Sequence, residues 1–194
     1  MIKYVIVTIT ILMFGNYSNN LFAQQKYEKE SRLNRNNVPA TAFNFIDSLN
    51  LKNRVKWYLE EGLENKSVEA KFKKSGKKHS VEFDILGNIE DVEIETKWDD
   101  LPVTLKNSIS VQLKEDCIKH KIVKTQIQYT GKRGPLFLKI LTGEPTENLT
   151  VRYEIIVKCR SKKNTELFEY LFTDIGQLIK ATPIIFKPSN HLEY

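Results

Sequence analysis

The feature that most restricts how this chain can fold is an alternation of apolar and polar side chains that keeps returning with a period of two. Val55, Trp57 and Leu59 alternate with Lys56 and Tyr58. Val68, Ala70 and Phe72 alternate with Glu69, Lys71 and Lys73, and Val81, Phe83 and Ile85 with Ser80, Glu82 and Asp84. Successive side chains of a strand point to opposite faces, so each run gives a sheet one apolar and one charged face. Ser75-Gly76 and Leu86-Gly87-Asn88 separate the runs with residues that accept turns, which predicts hairpins of an antiparallel meander. Val92 and Ile94 supply a fourth strand. The apolar face then needs a cover.

A cover precedes the strands. Asn37-Val38-Pro39 can open a helix, because an asparagine caps and a proline fits the first turn; Ala42, Phe45, Ile46 and Leu49 then recur at helical spacing. The same order returns further on. Asp100-Leu101-Pro102 repeats the helix opening, Leu105, Ile109 and Leu113 form a second stripe, and strand patterns follow at Val123 to Tyr129, Val151 to Val157 and Phe168 to Phe172. Asp174-Ile175-Gly176-Gln177 stands where the first half has Asp84-Ile85-Leu86-Gly87-Asn88. The expected fold is α+β: two tandem units, 37–95 and 100–186, each a helix plus a four-stranded antiparallel sheet, with the helices on one face and one continuous sheet as the way of joining them. Residues 131–148 are an insertion in the second unit, and 187–194 a tail.

The N-terminus is read separately. Lys3 precedes an apolar stretch from Tyr4 to Phe14 and a polar run from Gly15 to Asn20, with Ala23 before Gln24 at a cleavable position. This predicts a signal peptide over 1–23, the apolar core being too short to span a bilayer; a retained anchor is the alternative. Residues 24–36 are polar and charged and are expected to form a mobile leader. Cleavage removes one charged residue, Lys3, from a chain of net charge +6, leaving +5. So mild an excess, on an exported chain, argues against a nucleic-acid partner. The expected location is periplasmic or extracellular, with no membrane span after cleavage.

At this point the chain resembles a known family. A signal peptide, a helix opened by Val-Pro or Leu-Pro, the phrase Val81-Glu82-Phe83-Asp84-Ile85-Leu86-Gly87-Asn88-Ile89, and the following Trp98-Asp99-Asp100-Leu101-Pro102 are similar to the PepSY-like, β-lactamase-inhibitor-like exported proteins of Bacteroidetes. The resemblance covers about residues 37 to 184 and is stronger in the first half. It implies tandem units with helices on one face and an exposed sheet surface on the other. It carries no biochemistry with it, because the family is defined by shape.

Catalytic and metal motifs are absent from the sequence: no Gly-rich phosphate loop, no His-Glu-x-x-His, no Gly-x-Ser-x-Gly and no paired-cysteine motif. His79, His120 and His191 are far apart in sequence and read as structural or surface residues. Alternation puts Asp91, Glu93 and Glu95 on one strand face near Glu90, a solvated face or, alternatively, a cation site. Cys117 continues one helical stripe and Cys159 one inward strand series, so a disulfide is permitted; two free buried thiols is the other reading. Neither an enzyme nor a cofactor is expected; the expected role is non-enzymatic binding of a protein or peptide, with a periplasmic small-ligand or cation sensor as the alternative. The outward strand positions of the first half, Tyr58 apart, are almost wholly polar, whereas those of the second include Ile122, Ile156, Leu167 and Leu171. The expected cover is the run Pro135 to Leu141, packed as an extra strand or loop; otherwise that region is a partner-binding patch. Candidate contacts for a protein or peptide partner are therefore Tyr58, Phe137, Leu138, Ile156 and Leu171.

Overall fold

The computed structural model describes residues 29–62, 65–132 and 134–184. The signal segment, the start of the leader and the tail lie outside the described residues. Nine strands follow one another: β1 (Lys29–Arg32), β2 (Lys56–Glu61), β3 (Lys66–Lys74), β4 (Lys77–Asp84), β5 (Ile89–Glu95), β6 (Lys119–Thr130), β7 (Thr150–Arg160), β8 (Thr165–Thr173) and β9 (Leu178–Ile184). Three α-helices interrupt them: α1 (Ala40–Asp47), α2 (Val103–Asp116) and α3 (Gly134–Thr142). Spatial order equals chain order, and each pair is antiparallel.

This corrects the expectation of two tandem helix-plus-four-strand units. The fold is α+β, but the described residues form one nine-stranded sheet with three α-helices. β5 pairs with β6 from Asp91 opposite Thr130 to Glu95 opposite Gln126, so no boundary divides the ladder. The leader is also corrected. Lys29–Arg32 is an edge strand, although it has no apolar alternation; its pairing is main-chain bonding to β2 together with the Lys29–Glu61 ion pair at 3.6 Å.

Two prolines stand immediately before helices, Pro39 ahead of α1 and Pro102 ahead of α2, where a missing N–H costs nothing. α2 buries Leu105, Ile109 and Leu113, four residues apart on one stripe. Each of these helices seats on a turn glycine. Gly87 has φ +86, and a Cβ there would lie 2.7 Å from Thr41 Oγ1; Gly176 has φ +83, with Ser108 Cβ at 2.7 Å. The close approach and the left-handed backbone both require glycine.

Two apolar clusters lie under the helices on the same face of the sheet. The first joins α1 to β2–β5 through Ile46, Trp57, Phe72, Val81 and Phe83, and the second joins α2 to β7 and β8 through Ile109, Leu113, Ile155, Val157 and Phe172. Cys117, at the end of α2, is bonded to Cys159 on β7 with Cα atoms 5.4 Å apart.

The insertion departs from expectation in form and in place. Its apolar run is helix α3, and Phe137 and Leu141, one turn apart, are buried in the first cluster with Leu138 and Ile140 beside them. It packs on the helix-bearing face, not on Ile156 and Leu171, which lie half-buried on the other face. An apolar run broken only by Lys139 fits strand or helix equally, and only tertiary contact decides. Ile122 is the other correction. A register shift between Ile122 and Lys124 brings it opposite Val157 and into the second cluster, while Val123 is left exposed.

Candidate functional site

With the helices on one face, the other face of the sheet carries the side chains of alternate residues in rows that cross the strands. One row runs Tyr58, Glu69, Glu82, Asp91, Thr130. The next runs Lys71, Ser80, Glu93, Gln128, Arg152, and a third Glu95, Gln126, Glu154, Leu171. Glu69, Ser80, Asp91, Gln126 and Glu154 are nevertheless buried. A long antiparallel sheet twists and coils, so side chains of neighbouring strands crowd on this face and bury one another.

Burial of charge forces partnership. Lys71 lies between Glu30 and Glu69, with its Nζ 2.5 Å from one carboxylate and 2.7 Å from the other. Burial works to lower the pKa of this ammonium, but the hydrogen bonds and charges of Glu30 and Glu69 outweigh it and hold the group well above the ordinary lysine range. The Ser80 hydroxyl donates to the other oxygen of Glu69. Tyr58 lies against the same group, with Lys71 Nζ 4.9 Å and the Arg32 guanidinium 5.3 Å from its ring centre, and Arg32 donates to its hydroxyl at 3.2 Å.

In the middle of the sheet the carboxylates take amide donors instead. Gln128 Nε2 donates to Asp91 at 3.0 Å and Gln126 Nε2 to Glu93 at 2.7 Å. Glu95 pairs with Lys78 at 3.0 Å. Burial first, then the charges of Glu93 and Glu82, push the Asp91 carboxyl up to about 8, with only Gln128 acting against them. Burial and the neighbouring like charges thus favour the protonated form of Asp91. Among the described residues, the acidic oxygens that gather within 4.8 Å of one another are those of Glu30, Glu60 and Glu69. Two of these three already share the Lys71 ammonium, which fills the role a bound cation would take.

The sequence-derived candidates separate. Tyr58, Ile156 and Leu171 share the open face, with Leu171 directly opposite Glu154 and Ile156 opposite Glu169. Tyr58 is five strands away from β7, roughly 24 Å at the usual interstrand spacing. Phe137 and Leu138 belong to the helix-bearing face; Phe137 is 0% exposed and cannot meet a partner there. Asp91, Glu93 and Glu95 share one face and are tied to the neighbouring strands. His79 lies on the helix-bearing side, stacked on Phe72 at 5.4 Å, and burial lowers its pKa. Sequence reading missed the glutamine pair, Gln126 and Gln128, whose alternation on β6 was the available signal.

No family model matches the sequence, and no curated protein does. Solved structures of two DUF2874 family proteins are similar in fold. One, from Bacteroides uniformis ATCC 8492, superposes with a TM-score of 0.53 at 14% identity, covering 77% of this chain and 92% of that one. The other, from Bacteroides ovatus ATCC 8483, gives 0.51 at 16% identity, covering 79% and 96%. At such identities the likeness is one of architecture: the chain shares its fold with DUF2874 family proteins of Bacteroides, and kinship with PepSY-like proteins is not part of that finding.

Proposed function

We propose that this is an exported, non-enzymatic binding protein, acting in the periplasm or outside the cell, that recognises a protein or peptide through the open face of its sheet. The observation that carries the reading is the placement of α1, α2 and α3 on one side, which leaves a wide face of paired charges with Tyr58 at one end and Ile156 and Leu171 at the other. Rigid aromatic and aliphatic anchors within a polar, hydrogen-bonded surround are what protein recognition uses. Phe137 and Leu138 drop out of the contact set. Membership of the PepSY-like, β-lactamase-inhibitor-like group of Bacteroidetes, and an inhibitory action, fit this reading. A cation-sensing role fits less well, because Lys71 already neutralises the carboxylates that come closest together.

The test uses a photoreactive side chain placed in turn at Tyr58, at Leu171 and at Val111, an exposed position on α2. Irradiation in the native cell envelope should give the same discrete adduct from the two sheet positions and none from Val111. Adducts from Val111 alone, or none from either sheet position, would overturn the proposal.

A further inference from the structure

A hollow of about 810 Å³ opens at the β1 end of the molecule, between the segment Arg32–Arg35, the C-terminal half of α1 and the loop from Asn50 to Val55. Its floor is apolar: Ile46 and Trp57 are buried there, with Phe43, Leu51 and Val55 half-buried beside them. Its rim is basic. Arg35, Lys52 and Arg54 are exposed at the mouth, and no carboxylate among the described residues pairs with any of the three. The opposing charges are Asp47 and the carbonyl end of α1, which leave the mouth net positive.

The walls are fixed before any ligand arrives. Leu33 N–H donates to the Trp57 carbonyl at 2.9 Å, and Asn53 Nδ2 donates to the Lys73 carbonyl at 3.0 Å, tying both flanks to the sheet. The Arg35 guanidinium lies 4.3 Å from the centre of the Phe43 ring. Such stacking holds the group by its face and leaves its N–H edge free to meet a carboxylate in a two-bond fork.

We propose that this hollow binds a small organic anion with an apolar body, an aliphatic or aromatic carboxylate whose chain covers Phe43, Leu51 and Trp57 while its head meets Arg35 and Arg54. The combination selects the class. The apolar floor gains from excluding water only if the ligand has a body to bury, and the basic rim favours a negative head. The site lies at the edge of the helix-bearing side; Arg32, in its wall, also donates to Tyr58 of the proposed protein-binding face, whereas Arg35, Lys52 and Arg54, which carry the proposal, do not touch that face.

The experiment titrates the full chain with dodecanoate below its micelle concentration, by calorimetry and by tryptophan fluorescence, alongside dodecyl maltoside, which keeps the chain without the charge, and acetate, which keeps the charge without the chain. Dodecanoate should bind saturably at one site, and the two controls about tenfold or more weakly, a difference of about 1.4 kcal/mol or more. Arg35→Gln combined with Arg54→Gln should weaken dodecanoate binding about tenfold at an unchanged melting temperature. If that pair fails to fold, Lys52→Gln, an exposed position clear of the Phe43 stack, should weaken it in the same direction. Equal binding of the maltoside, equal binding of acetate, indifference to the variants, or no dodecanoate binding would each overturn the proposal. None of these outcomes bears on the cross-linking test of the sheet face.

Discussion

Asp91 is a carboxyl group placed where ionisation is opposed by its burial and by the charges of Glu93 and Glu82. Its folded pKa of about 8 lies above the ordinary 3.8, so over that interval the folded chain holds a proton that the unfolded chain has released. Stability from this residue is therefore full below pH 4, falls as pH rises, and levels off above about pH 8. Asp91→Asn keeps an acceptor for Gln128 and removes the charge. Its melting temperature should equal the parent's near pH 4 and exceed it by a margin that grows up to about pH 8; a margin independent of pH would contradict the assignment. Glycine supplies a second test at this scale. Gly76 and Gly87 both have left-handed backbones, φ +78 and +86, but a Cβ at Gly76 meets nothing within 4 Å, whereas at Gly87 it meets Thr41 and the backbone of Ala42 below 3 Å. Gly76→Ala should cost about 1–2 kcal/mol from conformation alone. Gly87→Ala should cost clearly more, since α1 must also shift, and urea unfolding of the two variants side by side measures the difference.

Among the elements, α3 shows how far the sequence is legible and where it stops. Strands β2 to β5 and the stripes of α1 and α2 are readable from period alone, because each has one apolar and one polar side. The run Leu136 to Leu141 has almost no polar member, so its period is hidden, and its seat against the first cluster is decided by contacts remote in sequence. β1 is illegible for the opposite reason: Lys29, Glu30, Ser31 and Arg32 carry no apolar signal, and pairing with the main chain of β2 makes the strand. On the open face, alternation identifies Tyr58, Glu69 and Lys71 as neighbours facing away from the core, but burial of Glu69 follows from crowding in a twisted sheet, which composition cannot show. Phe137→Ala should lower stability by about 3–5 kcal/mol, as loss of a fully buried aromatic does, measured by denaturant unfolding. The tether between α2 and β7 acts through the unfolded chain. Closing the 42-residue separation between Cys117 and Cys159 contributes on the order of 4 kcal/mol in the loop-entropy treatment. Replacing both cysteines with serine should move the urea midpoint down correspondingly, and an unchanged midpoint would mean that the link restrains nothing.

For the molecule as a whole, the question is whether two apolar clusters make two folding units. The ladder argues that they do not. β6 pairs with β5 over five residues and with β7 along its whole length, so the same strand closes both halves of the sheet. The helix that follows β6 in sequence, α3, inserts Phe137 and Leu141 into the first cluster, and Tyr129 of β6 packs there as well, although Ile122 of the same strand packs in the second. Loss of either cluster strips partners from β6 and exposes apolar surface in the other, which couples the two transitions. The two tryptophans report on them separately, Trp57 being buried in the first cluster and Trp98 packed against the second. In urea, Trp57→Phe leaves Trp98 as the only indole and Trp98→Phe leaves Trp57. Within each variant, tryptophan fluorescence and far-UV circular dichroism should give one coincident midpoint, because each indole then reports the unfolding of the entire sheet. A fluorescence midpoint separated from the circular dichroism midpoint in either variant would mean that the clusters unfold independently despite the shared ladder.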